Sequence, residues 1–113
     1  MRFYECVFII RCDMPAQDVY KFSGKYKDII EKMGSQVIKK EYWGLRSLSY
    51  EIKKNKKGHY IFFGLEATPE IINKIENDFK ISEDVIKFLT IRVNEIDTKP
   101  SLMMQAPSET EKK

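Results

Sequence analysis

One histidine, one tryptophan, two cysteines and four arginines are all that this 113-residue chain holds of those types. Each shortage excludes something. With His59 alone at the start of an apolar run and beside lysines, no cluster at metal-ligand spacing can be drawn, and a surface histidine is expected. Cys6 and Cys12 fall on one face of an extended strand about 20 Å apart, beyond disulfide reach, so reduced thiols are expected. The glycines are scattered singly, so no glycine-rich loop cradles a phosphate. No apolar run is long enough to span a bilayer, and the N-terminus enters a strand directly, so a cytoplasmic protein without membrane contact is expected. The acidic pairs fall in loops or on polar faces, where solvation is their ordinary role. The expectation is a chain with no catalytic residues, no cofactor, no metal and no small-molecule substrate.

What is present is a hairpin of unusual composition. Two β-prone runs, Gln36–Ile52 and His59–Ala67, flank Lys53-Lys54-Asn55-Lys56-Lys57-Gly58. Four of the sixteen lysines crowd into that turn, in a chain whose net charge is only +3. Gly44 interrupts the first run and marks a bulge or a sharp coil in it. The second run is apolar from Tyr60 to Phe63, and a strand apolar on both sides must be covered on both sides.

The remaining elements follow from periodicity. Phe3 to Ile10 alternates as a strand with two apolar faces. Asp13 or Pro15 opens a helix whose stripe is Val19, Phe22, Tyr26, Ile29, Ile30 and Met33, closed at Gly34. Thr68-Pro69 opens a second helix with Ile72, Ile75 and Phe79 as its stripe. A fourth strand runs from Val85 to about Val93. The order β-α-β-β-α-β predicts an α+β, ferredoxin-like split βαβ domain over residues 1–95, with a four-stranded antiparallel sheet and both helices on one face. Residues 96–113 read as a flexible polar tail.

Two helices cover one face of such a sheet. Strict alternation assigns Tyr4, Cys6, Phe8, Ile10, Ile61, Phe63, Leu65, Val85, Leu89 and Ile91 to the covered face. It leaves Phe3, Val7, Ile9, Tyr60, Phe62, Ile86 and Phe88 on the other. That is more exposed apolar surface than a monomer ordinarily displays. A protein partner on Phe3, Tyr60, Phe62, Ile86 and Phe88 is expected, the alternative being that Ile96, Leu102 and Met103 fold back over the face. For RNA, the candidates are the lysines of the turn (Lys53, Lys54, Lys56 and Lys57), with Arg2, Arg46 and Arg92, whose planar groups suit phosphates and carboxylates. RNA-recognition motifs share this topology, but counting from Lys57-Gly58 their stacking positions hold His59, Ile61 and Gly64, so base stacking in that manner is excluded.

Three stretches, Met1-Arg2-Phe3-Tyr4-Glu5, Trp43-Gly44-Leu45-Arg46-Ser47-Leu48-Ser49-Tyr50-Glu51-Ile52 and Gly58-His59-Tyr60, resemble the bacterial small-subunit ribosomal protein six family over about residues 1–95. Ser49 stands where alanine is common and Glu51 where proline is. The resemblance implies the βαββαβ fold and no catalysis. It implies two partners, small-subunit ribosomal protein eighteen and the central domain of the small-subunit ribosomal RNA. The competing expectation is a free-standing ferredoxin-like module that self-associates through its sheet face.

Overall fold

β1, Arg2–Arg11, is the strand on which the sheet is built. It pairs antiparallel with β3, Asn55–Ala67, on one side and with β4, Val85–Val93, on the other. β2, Gln36–Ile52, adds to the outer edge of β3, giving the order β2-β3-β1-β4. This computed structural model describes residues 1–105. The expected polar run Pro107–Lys113 lies outside the described residues.

α1, Ala16–Lys32, starts after Pro15, whose extended backbone is the N-cap. Asp13, the other candidate opener, instead pairs with Arg11 at 2.9 Å. α1 ends as its sequence demands. Gly34 takes φ +88°, and the Ser35 and Gly34 amides donate back to the carbonyls of Ile30 and Glu31. α2, Pro69–Ile81, follows Thr68 with proline in its first turn.

Both helices lie on one face. Phe8 is fully buried at the centre, its ring 4.8 Å from Phe79, 5.2 Å from Phe63 and 6.3 Å from Phe22. Ile10, Ile30, Ile61, Leu65, Ile75 and Val85 complete this layer. An apolar layer so closely packed is the main source of the fold's stability, since each buried side chain of this size contributes about 1.5–3 kcal/mol.

β4 departs from strict alternation, and the reason is a bulge. Ile9 pairs with Lys87 but Ile10 pairs with Val85, so Ile86 is an extra residue. The bulge resets the phase. Val85 and Phe88 both face the helices, and Phe88 packs 5.8 Å from Phe79. Leu89 and Ile91 stand opposite Val7 and Glu5 on the other face, 63% and 48% exposed. The expected core positions of Leu89 and Ile91 and the expected open-face position of Phe88 are therefore corrected.

His59 is corrected too. It is buried on β3, where its Nε2–H donates to the Met14 carbonyl at 2.8 Å and its Nδ1 accepts from the Tyr42 hydroxyl at 2.7 Å.

Candidate nucleic-acid and protein interface

The open face of the sheet has two unlike halves. Over β2 and β3 the chain covers itself. A second bulge at Trp43, marked by Gly44 at φ +94°, swings the indole flat onto Phe62, with ring centres 5.4 Å apart and planes 14° apart. Lys39 Nζ stands 5.5 Å over the Phe62 ring. Residues 96–104 then cross this half. Ile96 lies against Gly64, where a Cβ would come within 2.7 Å of its methyl group. Lys39 Nζ donates to the carbonyls of Asp97 and Lys99 at 2.8 and 2.6 Å. Arg46 Nη2 donates to the Met103 carbonyl at 3.1 Å, while its Nε holds the Trp43 carbonyl at 2.8 Å.

Glu41 ties these pieces together. Its buried carboxylate accepts from the Ser101 amide and hydroxyl and from the Trp43 indole N–H, with Lys39 at 3.8 Å. Burial pushes its pKa up, but the hydrogen bonds and the lysine outweigh that and hold it below the usual carboxylate value.

Over β1 and β4 the face is open. Val7, Ile9, Tyr60, Lys87, Phe88 and Leu89 line a groove of about 240 Å³. Phe3 is half-buried at one end, opposite Val93. At the other, Tyr50 reaches across to accept from Lys87 Nζ at 3.1 Å.

The basic residues form separate groups. Lys53 and Lys54 are the two central residues of the β2–β3 turn, both at positive φ (47° and 67°), a conformation that side chains other than glycine, asparagine and aspartate seldom adopt. The turn is tighter than a reading ending at Gly58 allows, because Lys56 and Lys57 already belong to β3. Asn55 fixes it. Its Oδ1 accepts from the Cys12 amide at 3.0 Å, and its Nδ2 donates to the carbonyls of Ile52 and Lys53. Arg2 and Arg92 line a concavity of about 200 Å³ at the opposite end of the sheet with Met1, Phe3, Val93 and Asn94. β1 separates this group from the turn by about 30 Å at some 3.3 Å per residue.

The structure thus keeps the seven expected RNA-contacting residues in three places, with the Arg46 guanidinium already on backbone carbonyls. Of the five expected interface residues, Phe3 and Tyr60 border the open strip, and partly buried Phe88 also lines its groove. Phe62 is only 6% exposed beneath Trp43, Ile86 is buried in the bulge, and Phe88 faces the helices. Sequence reasoning overlooked Leu89, Ile91, Glu41 and Ser101. One signal was available for β4: strict alternation from Val85 sends Lys87 into the core, which a lysine resists.

Comparison with known proteins agrees with this architecture. A family model described as "Ribosomal protein S6" matches residues 3–92. The chain is 47% identical over 108 residues to the small ribosomal subunit protein bS6 of Rickettsia canadensis, covering 96% of this chain and 89% of that one. It is 45% identical over 109 residues to the bS6 protein of Granulibacter bethesdensis, covering 96% and 71%. Its fold is similar to the crystal structure of 30S ribosomal protein S6 from Thermotoga maritima, with a TM-score of 0.75 and 29% identity over 81% of this chain and 87% of that one.

Proposed function

The chain belongs to the ribosomal protein S6 family, and we propose that it binds the central domain of the small-subunit ribosomal RNA together with small-subunit ribosomal protein eighteen. At the coarser level it is a structural, non-enzymatic constituent of the bacterial small ribosomal subunit.

The observation behind the finer reading is the pairing of an apolar strip with a lysine turn held by Asn55 at its end. Among the described residues no carboxylate bonds Lys53, Lys54 or Lys56. Lysines presented without partners suit phosphate oxygens, which position a protein on RNA without reading its sequence. Arg2 and Arg92 supply a second point of positive charge at the far end of the sheet. The strip of Val7, Tyr60, Leu89 and Ile91 is apolar and half exposed, as the core of a protein interface is before its partner arrives.

Hydroxyl-radical footprinting of the central-domain RNA tests this. Protection of a defined set of riboses by the two proteins together, absent with either alone, is expected. Cleavage identical to that of free RNA in the presence of both overturns the reading.

A further inference from the structure

Lys53 stands between two concavities at the hairpin end of the sheet, and the two differ in charge. In the larger, about 420 Å³, the charged residues are Arg11, Lys53 and Lys54 together with Asp13 and Glu83. Its arginine is already committed, with Nε on Asp84 at 2.8 Å and Nη1 on Asp13 at 2.9 Å. In the smaller, about 250 Å³, the charged residues are Lys53, Lys80 and Lys87, and the apolar lining is Phe79, Val85, Ile86 and Phe88. Among the described residues no carboxylate lines it.

Three elements bring these lysines together, and each is held in place. Lys53 is in the turn, where Asn55 Nδ2 donates to its carbonyl at 3.0 Å. Lys80 lies in the last turn of α2. Just beyond it Ser82 Oγ accepts the amides of Asp84 and Val85 at 3.1 and 3.3 Å, which fixes the short passage into β4. The bulge at Ile86 then turns Lys87 away from the helices. Its ammonium donates to the Tyr50 hydroxyl at 3.1 Å and stands 5.1 Å from the centre of that ring.

All three lysines are exposed, and among the described residues none has a carboxylate partner. Tyr50 orients Lys87 without cancelling its charge. Like charges gathered around one concavity repel one another. The arrangement becomes favourable only when an anion sits among them. An ammonium meets phosphate as a point charge from any direction, whereas a planar carboxylate is matched better by the fork of an arginine.

We propose that Lys53, Lys80 and Lys87 form one phosphate-binding concavity, which carries the backbone of bound RNA from the β2–β3 turn around the end of the sheet to the last turn of α2. The inference rests on the RNA reading above and adds Lys80 and Lys87 to the site. Lys53 is shared with the turn, so the concavity and Lys54 make one run of positive charge. Such a run matches the successive phosphates of a polyanion better than it matches scattered carboxylates on a protein.

The test uses the full chain in its complex with protein eighteen and measures affinity for the central-domain RNA across a salt series. In Lys80→Gln/Lys87→Gln, affinity at 0.1 M salt falls at least about ten-fold, and the slope of log affinity against log salt flattens by roughly two units. The control is Lys27→Gln/Lys74→Gln, which also removes two charges from helices or their ends, but from lysines already paired with Glu31 and Asp78. Its slope stays at the wild-type value. An unchanged slope in Lys80→Gln/Lys87→Gln overturns the concavity. Equal flattening in the control also overturns it, because net charge and not this site would then set the slope. Loss of affinity for protein eighteen measured without RNA, with the RNA slope intact, gives the two lysines to a protein surface and overturns the proposal. No RNA binding by the unaltered complex overturns the RNA reading itself, whereas RNA binding indifferent to Lys80 and Lys87 overturns the concavity alone.

Discussion

The Glu41 carboxylate accepts the hydroxyl of Ser101 at 2.6 Å, joining residues 60 positions apart across the open face of the sheet. The same carboxylate takes the Ser101 amide and the Trp43 indole. One acidic side chain thereby fixes the C-terminal segment, the indole and the lid over Phe62 together.

That arrangement has a definite pH dependence. Glu41 has its pKa lowered in the folded chain, so its contribution to stability is full above the ordinary carboxylate value and is lost as pH falls through the folded value. Trp43 should become more accessible to acrylamide on acidification through that window. In Glu41→Gln the accessibility should be raised at neutral pH and the acid step should flatten. An acid step of equal size in wild type and Glu41→Gln would show that another group holds the segment.

His59 titrates with the opposite charge but in the same sense. Burial lowers its pKa, only partly offset by hydrogen bonds that the ring donates to the backbone of Met14 and Cys12. The unfolded chain therefore binds the proton more readily than the folded one. The neutral ring's contribution is complete above about pH 6.5, the ordinary histidine value, and is lost as pH falls toward the folded value. Urea unfolding at pH 7.5 and 5.5 should show a loss of stability on acidification that His59→Phe lacks. At pH 7.5 that variant should itself cost about 1–3 kcal/mol, since Tyr42 and Met14 lose their partner.

Phe8 and Leu89 should separate core from open face. Phe8→Ala removes a fully buried ring among Phe22, Phe63 and Phe79, and should cost about 3–5 kcal/mol in chemical denaturation. Leu89→Ala should change stability by no more than about 0.5 kcal/mol, as exposed positions do. A large loss from Leu89→Ala would place that side chain back under the helices.

Two glycines should respond with opposite signs. Gly24 lies inside α1 with nothing within 4 Å of an added Cβ, so Gly24→Ala should stabilise by roughly 0.5–1 kcal/mol. At Gly58 an added Cβ would sit 2.2 Å from the Ile9 side chain and 3.3 Å from the Ile10 carbonyl. Gly58→Ala should cost about 1–3 kcal/mol, the usual range for overpacking. Thermal melts of the two variants measure both.

For RNA, neutralising Lys53, Lys54 and Lys56 together should weaken binding of the partnered complex. It should flatten the slope of log affinity against log salt by roughly one unit for each phosphate that no longer meets a lysine. Leu89→Ala should weaken association with the protein partner and leave that slope unchanged, since apolar burial releases no counterions. Equal slopes for wild type and the triple-lysine variant would make the turn a solvated tip.

Element order, helix stripes, the stop at Gly34 and an irregularity at Gly44 were all legible in the sequence, because each rests on local chemistry: a two- or 3.6-residue period, a proline before a helix, a glycine where φ is positive. Phe8, Phe63 and Ile30 could be placed in one core for the same reason. The lysine turn was legible as composition, but its two-residue geometry was not, since positive φ at Lys53 and Lys54 contradicts their local preference and is compensated by Asn55, itself held by the Cys12 amide 43 positions away. The phase of β4 was decided only by pairing. The extra residue at Ile86 exists only with respect to Ile9 and Ile10 on the neighbouring strand, and it alone exchanges Phe88 with Leu89 between the two faces. The fate of residues 96–104 was also beyond periodicity, because their anchors, Lys39, Glu41, Arg46 and Gly64, lie 32 to 60 positions away along the chain. Local periodicity determined which elements form; contacts between distant residues decided which face each presents and how much of the sheet stays open.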